Sequence, residues 1–116
     1  VLLITSRDTG RWILPKGWPM AGKSGGETAL TEAWEEAGVV GHLAGAALGS
    51  YGALKELVSG KPMPSRVEVH PVRVERLAAK FPEKGQRRRK WMTAKKAAKS
   101  VAEPELAALL RALPHG

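Results

Sequence analysis

Residues 17 to 39 read GWPMAGKSGGETALTEAWEEAGV, running from Gly17 to Val39. The first part belongs to a loop spanning Pro15 to Gly26, which holds two prolines and four glycines. From Glu27 to Ala37 no breaker interrupts a run rich in Ala, Leu and Glu, which predicts a helix. Gly38 follows where a left-handed C-cap is expected. Glu32, Glu35 and Glu36 stand at i, i+3 and i+4, so they project within an arc of roughly 100°. Leu30, Ala33, Trp34 and Ala37 fall on the other side, the face expected to pack against a sheet. Like charges at this spacing repel by a few tenths of a kcal/mol per pair, roughly, in an isolated helix. A divalent cation reverses that sign, because carboxylate oxygens are the hard ligands that Mg²⁺ and Mn²⁺ prefer.

Working outward, Val1 to Ser6 reads as a buried strand, Arg7 to Gly10 as a turn and Arg11 to Leu14 as a second strand. Residues 42–58, rich in glycine and small side chains, are assigned loosely to one or two strands, and Ser59 to Pro62 to a turn. Val67, Val69, Val72 and Val74 mark a strand whose pairing Pro71 interrupts, at an edge or a bulge. Phe81 to Gly85 is a loop, and a short strand ends at Trp91-Met92. Thr93 is placed to cap a helix over Ala94 to Val101, and Pro104 opens a last helix reaching Leu113. Strands before and after a central helix make the fold class α+β, as a single domain over 1–116. Trp34 and Trp91 are expected in the core.

The 116 residues carry a net charge of +8, and the basic residues crowd the second half around Arg87-Arg88-Arg89-Lys90. Such a surplus favours a polyanionic partner, against which the acidic triad in one helix stands out. There is no cysteine, which removes disulfides, thiol catalysis and cysteine-bound zinc. The three histidines, His42, His70 and His115, lack metal-ligand spacing. No apolar run has the roughly 18 residues a membrane span needs, and the opening Val1-Leu2-Leu3-Ile4 is too short for a signal peptide. The expectation is therefore no membrane association and a cytoplasmic location. The chain does not begin with Met, and a segment before Val1, including a first strand, is expected to be missing.

Gly17, five residues, Lys23, seven residues, then Thr31-Glu32-Ala33-Trp34-Glu35-Glu36-Ala37-Gly38-Val39 resembles the Nudix box, Gly-x5-Glu-x7-Arg-Glu-U-x-Glu-Glu-x-Gly-U, where U is a bulky aliphatic residue. Five of its seven fixed positions match, at Gly17, Glu32, Glu35, Glu36 and Gly38. Lys23 replaces the first glutamate, Thr31 replaces the arginine, and Ala33 is small for a U position. In the family that glutamate and arginine brace the loop against the helix. Ser6 through Gly17, Phe81-Pro82-Glu83 and Arg87 through Met92 are similar to the branch that hydrolyses diphosphoinositol polyphosphates and diadenosine polyphosphates. The fold implied is an α/β/α sandwich around a mixed β-sheet.

The resemblance implies a hydrolase that cleaves a phosphoanhydride bond by water attack on phosphorus, using Mg²⁺ or Mn²⁺. Glu32, Glu35 and Glu36, with the carbonyl of Lys16 or Gly17, would hold the metal. Glu35, Glu36 and Glu83 are the candidates for catalysis, with Glu83 a carboxylate from outside the box. Arg7, Lys16, Lys55, Arg66, Arg87 and Arg89 are expected on the rim to bind phosphate, arginine in bidentate fashion. Strand alternation sends Arg87 and Arg89 to one face and Arg88 to the other. Trp18 is placed to cover a base. The substrate class is a polyphosphorylated small molecule, with nucleic acid less favoured. The alternative is a non-catalytic Nudix-like module that binds a nucleotide or an RNA 5′ end.

Overall fold

The computed structural model describes residues 1–17, 22–56 and 59–114, without the side chains of Lys55 and Glu56. In chain order the elements are β1 (Leu2–Thr5), β2 (Trp12–Ile13), α1 (Gly25–Ala37), β3 (Val39–Leu43), β4 (Gly49–Glu56), β5 (Pro62–Val69), β6 (Val72–Leu77), β7 (Arg89–Trp91), α2 (Ala94–Ser100) and α3 (Pro104–Arg111).

β1 organises the molecule. It lies between β2 and β7, antiparallel to both, with Ile4 opposite Ile13 on one side and Leu3 opposite Lys90 on the other. All four of its residues are buried, because alternate side chains enter two different cores. Leu3 joins Tyr51, Val67, Met92, Ala97 and Ala98 with Leu106, Ala107 and Leu110 of α3. Leu2 and Ile4 join Ala33 and Ala37 of α1 and Val39 of β3. Helices therefore cover both faces of β1.

Local chemistry explains the boundaries of α1. Ser24 accepts a hydrogen bond from the Glu27 amide (3.1 Å), and Glu27 Oε1 accepts one from the Ser24 amide (3.3 Å). This capping box satisfies two orphan donors and starts the helix at Gly25, two residues before the position expected from composition. Gly38 ends it at φ 69°, with its N–H bonded to the Trp34 carbonyl at 2.9 Å. A side chain at Gly38 would also collide with Phe81 and Arg89, so the cap doubles as a close approach.

The rest of the sheet differs from expectation in two ways. Val67 to Val74 forms two strands rather than one, with the chain turning at His70-Pro71 before β6 pairs with β3. Instead of a single mixed sheet, the described pairings form three antiparallel pieces: β2-β1-β7, β3-β6 and β4-β5. Prolines account for part of this. Pro62 and Pro64 lie in β5 and Pro71 at the break, and none has an N–H to offer a further ladder.

Two tryptophans expected in the core are not there. Trp34 is 38% exposed and Trp91 53% exposed. The buried arc of α1 centres on Ala33 and Ala37 and extends towards Glu36, which leaves Trp34 on its far rim and Leu30 only half-buried. The smaller residues let β1 and β3 approach, and a carboxylate takes a place that binary patterning reserves for an apolar group. No described helix is long and apolar enough to cross a membrane.

Candidate functional site

Glu36 is the unusual residue of α1. It is only 8% exposed. One oxygen, Oε1, accepts the backbone N–H of Lys16 at 2.9 Å, tying the helix to the strand-to-loop connection that ends at Gly17. The other, Oε2, faces the Arg87 guanidinium at 3.4 Å. Burial pushes the carboxyl up to about 7, reinforced by Glu32 and Glu83 and opposed by the Lys16 amide and Arg87.

Glu32 sits one turn earlier, half-buried, against Gly17. A methyl group on Gly17 would overlap the Glu32 carboxyl, so glycine there makes a cradle for this side chain. Burial raises the Glu32 carboxyl above its usual range, helped by Glu35 and Glu83 and opposed by Lys16 and Lys23.

Glu83 comes from the loop between β6 and β7. Its backbone N–H donates to the carbonyl of Glu35 at 2.9 Å, fixing the loop at the C-terminal turn of α1. Its Oε1 accepts Arg87 Nε at 3.1 Å and lies 3.8 Å from Arg7 Nη1. Arg87 contacts both Glu83 and Glu36, and the Glu83 charge adds to the upward shift of Glu32 and Glu36.

Lys23 and Thr31 meet each other. Lys23 Nζ donates to Thr31 Oγ1 at 3.0 Å, and that hydroxyl donates to the Glu27 carbonyl at 3.0 Å. This hydrogen bond joins the loop before α1 to the helix. The contact is exposed, so its strength is small.

The expected phosphate-binding cations fall into distinct groups. Arg7 is exposed near Glu83 and hydrogen-bonds Gln86 Oε1 at 2.9 Å. Lys16 is half-buried at the edge of the carboxylates, where burial lowers its ammonium and the charges of Glu36 and Glu103 oppose that shift. Arg66 is held in bidentate fashion by Glu105 of α3, both contacts at 3.0 Å, and by Ser50. Arg87 and Arg89 do point to one side, but inward. Arg89 donates to the carbonyls of Ala37 (2.7 Å) and Ala78 (3.1 Å) beneath Phe81, closing the C-terminus of α1. Its position is that of a structural cap. Arg88 leaves in the opposite direction and lies over Trp12 at 5.6 Å. Trp18 and the side chain of Lys55 lie outside the described residues, as does His115.

Lys16 and Gly17 also form one wall of a cleft of about 860 Å³ between α1 and the three sheets. Its lining is mainly aliphatic, including Leu14, Ala33, Val39, Val67 and Val74. Its polar lining includes Thr28, Ser50, Arg66 and Glu68.

Among the described residues, no group of three or more His, Asp or Glu side chains converges tightly enough to enclose a metal ion. The donor chemistry still fits a hard divalent cation, since Mg²⁺ is commonly held by one or two carboxylates and completes its shell with water and phosphate. The Gly17 cradle beneath Glu32 and the mutual repulsion of Glu32, Glu36 and Glu83 are features such a cation would use. One expected rim residue takes a different role, and one participant, Thr5, was missed by sequence reasoning. Arg87 serves the carboxylates rather than the rim, and Thr5 receives both Arg87 Nη1 on its carbonyl (3.2 Å) and the Arg88 amide on its hydroxyl (2.9 Å). No family model matches the chain, and no curated protein matches it.

Proposed function

We propose that the chain is a divalent-cation-dependent hydrolase of the Nudix type, acting on a phosphoanhydride bond in a polyphosphorylated small molecule. The observation that carries this reading is the joining of Glu36 and Glu83 through Arg87 at the C-terminal end of α1, one turn from Glu32, where burial raises the Glu32 and Glu36 carboxyls. Carboxylates raised by burial beside specific charge partners, in a chain of net charge +8, are candidates for a functional site. The helices on both faces of β1 support the α/β/α layering that goes with such a domain.

On this reading Glu32, Glu35 and Glu36, with the carbonyl of Lys16 or Gly17, would hold Mg²⁺ or Mn²⁺. The bound cation would neutralise phosphate charge and lower the pKa of water. The chain's own part is positioning. The Lys16 amide fixes Glu36, Gly17 makes room for Glu32, and the Glu35 carbonyl anchors the loop that carries Glu83. Water's oxygen bonds to phosphorus as the bond to the leaving phosphate oxygen breaks, and a carboxylate among Glu35, Glu36 and Glu83 takes the proton. Arg7, 3.8 Å from Glu83, and Lys16, whose charge acts on Glu32, are the candidates from the rim set for phosphate oxygens. Loose phosphoryl-transfer transition states depend mainly on such placement.

Incubation with Mn²⁺ or Mg²⁺ and a panel of inositol pyrophosphates, diadenosine polyphosphates and nucleoside diphosphate derivatives tests this, beside Glu36→Gln. Metal-dependent release of phosphate products by the parent and not by the variant is expected. Equal turnover by the variant would sink the assignment of Glu36, and no turnover on any substrate would remove the hydrolase reading.

A further inference from the structure

We propose that Arg87 is the internal counter-ion of the carboxylate cluster, a positioning residue that holds Glu36 and Glu83 together and competes with a divalent cation for them. The inference rests on the hydrolase reading of that site and adds a residue which acts through the carboxylates rather than on substrate.

The Arg87 side chain is 8% exposed, and each of its three nitrogens has an acceptor on a different segment. Nε binds Glu83 Oε1 at 3.1 Å, Nη1 binds the Thr5 carbonyl at the end of β1 at 3.2 Å, and Nη2 faces Glu36 Oε2 at 3.4 Å. One planar fork thus joins β1, α1 and the loop before β7. With three of its five N–H donors engaged and its side chain 8% exposed, Arg87 is directed at the carboxylates rather than at the rim. Its single positive charge offsets carboxylates that otherwise repel one another. A divalent cation approaching those oxygens meets the same charge as a repulsion.

Charge and geometry make separable predictions. Arg87→Gln removes the charge and most of the fork, so a cation should bind more tightly while the carboxylates lose their spacing. Arg87→Lys keeps the charge, but a point donor on a flexible stem cannot bridge three acceptors on three segments. Its cation affinity should stay near the parent's while turnover falls.

The experiment titrates Mn²⁺ into parent, Arg87→Gln and Arg87→Lys, reading free Mn²⁺ by electron paramagnetic resonance, and measures kcat and KM at saturating Mn²⁺. Arg87→Gln should bind Mn²⁺ roughly tenfold more tightly, and Arg87→Lys within about threefold of the parent. Both should lose kcat by roughly tenfold or more, with KM changing less. Unchanged or weaker Mn²⁺ binding by Arg87→Gln overturns the counter-ion role while the hydrolase reading stands. Parental kcat in Arg87→Lys overturns the bridging role, and this variant decides the matter if the glutamine variant does not fold. A parent that hydrolyses no polyphosphate but shows the affinity difference removes the hydrolase reading and keeps the counter-ion. A parent that binds no Mn²⁺ overturns both.

Discussion

The two faces of β1 are built on opposite principles. On one, Leu3 meets Leu106, Ala107 and Leu110 of α3 and Ala97 and Ala98 of α2, a closed apolar contact. On the other, Leu2 and Ile4 meet α1, whose buried arc contains Ala33 and Ala37 but also Glu36. The first face stabilises the domain through apolar contacts. The second spends part of that stability to keep a carboxylate out of water, with Arg87 as its partner. A site that must hold charges in fixed places needs a rigid apolar neighbour, and here one four-residue strand separates the two.

The largest effect should follow from breaking the apolar face. Leu3 is fully buried, and Leu3→Ala should cost about 2–5 kcal/mol by lost transfer energy and a residual cavity. Urea unfolding should show the midpoint fall with little change in slope. A loss below about 0.5 kcal/mol, the range of surface substitutions, would mean that β1 is not the organising strand.

Next comes the charged face. Glu36→Gln should lower kcat/KM by roughly a hundredfold or more, the scale of removing one preorganised electrostatic group. The same residue governs pH dependence. Its folded-state carboxyl is raised from 4.5 to about 7, so between those values the native state binds more protons than the unfolded chain. Stability of the cation-free protein should therefore fall as pH rises from 4.5 to about 7, and level off above. At about 1.4 kcal/mol per pKa unit, the fall is on the order of 3 kcal/mol. Glu32, also raised, adds in the same direction. Denaturation with a chelator present at successive pH values checks this, and Glu36→Gln should flatten the curve. A rise in stability over that window would contradict the burial cost assigned to Glu36.

A third effect is steric. Gly17→Ala places a methyl group where the Glu32 carboxyl lies, so Glu32 must move. Losses of roughly tenfold to a hundredfold in metal affinity or activity are expected, the scale seen when a ligand's support is altered. Unfolding midpoints should change far less than for Leu3→Ala. An unchanged metal affinity would show that Glu32 need not occupy the Gly17 cradle.

How much of this the sequence disclosed differs between the two faces as well. Short-range signals carried α1, the Gly38 cap, the Thr93 cap and the Pro104 start, because each depends on chemistry within one turn of helix. The glutamate spacing carried the site's acidic side for the same reason. Arg87 and Arg89 were legible as sharing a side but not as facing inward, since the acceptors Thr5, Glu36 and Ala37, unlike Glu83 and Ala78, are far away in sequence. Trp34 and Trp91 were misplaced because tryptophan's size suggests burial, whereas the close approach of α1 to β1 and β3 is made by Ala33 and Ala37. The division of the strands into three pieces depends on pairing across the fold, which no local pattern encodes.

The smallest effect tests the contact between Lys23 and Thr31. Lys23 and Thr31 join the loop to α1 through one exposed hydrogen bond, so Lys23→Ala should cost no more than about 0.5 kcal/mol. The double substitution Lys23→Glu with Thr31→Arg places a carboxylate opposite a guanidinium at the same two positions. An exposed pair of this kind contributes roughly 0.2–1 kcal/mol and is weakened by salt. The double variant should exceed the sum of the two single variants by about that amount, and the excess should shrink at 1 M salt, where the Debye length falls to about 3 Å. Strict additivity would mean that the two side chains do not meet in solution. Coupling that persists at high salt would mean the pair is less exposed than its position on the helix surface implies, and would move this corner of the site towards the buried economy of Glu36 and Arg87.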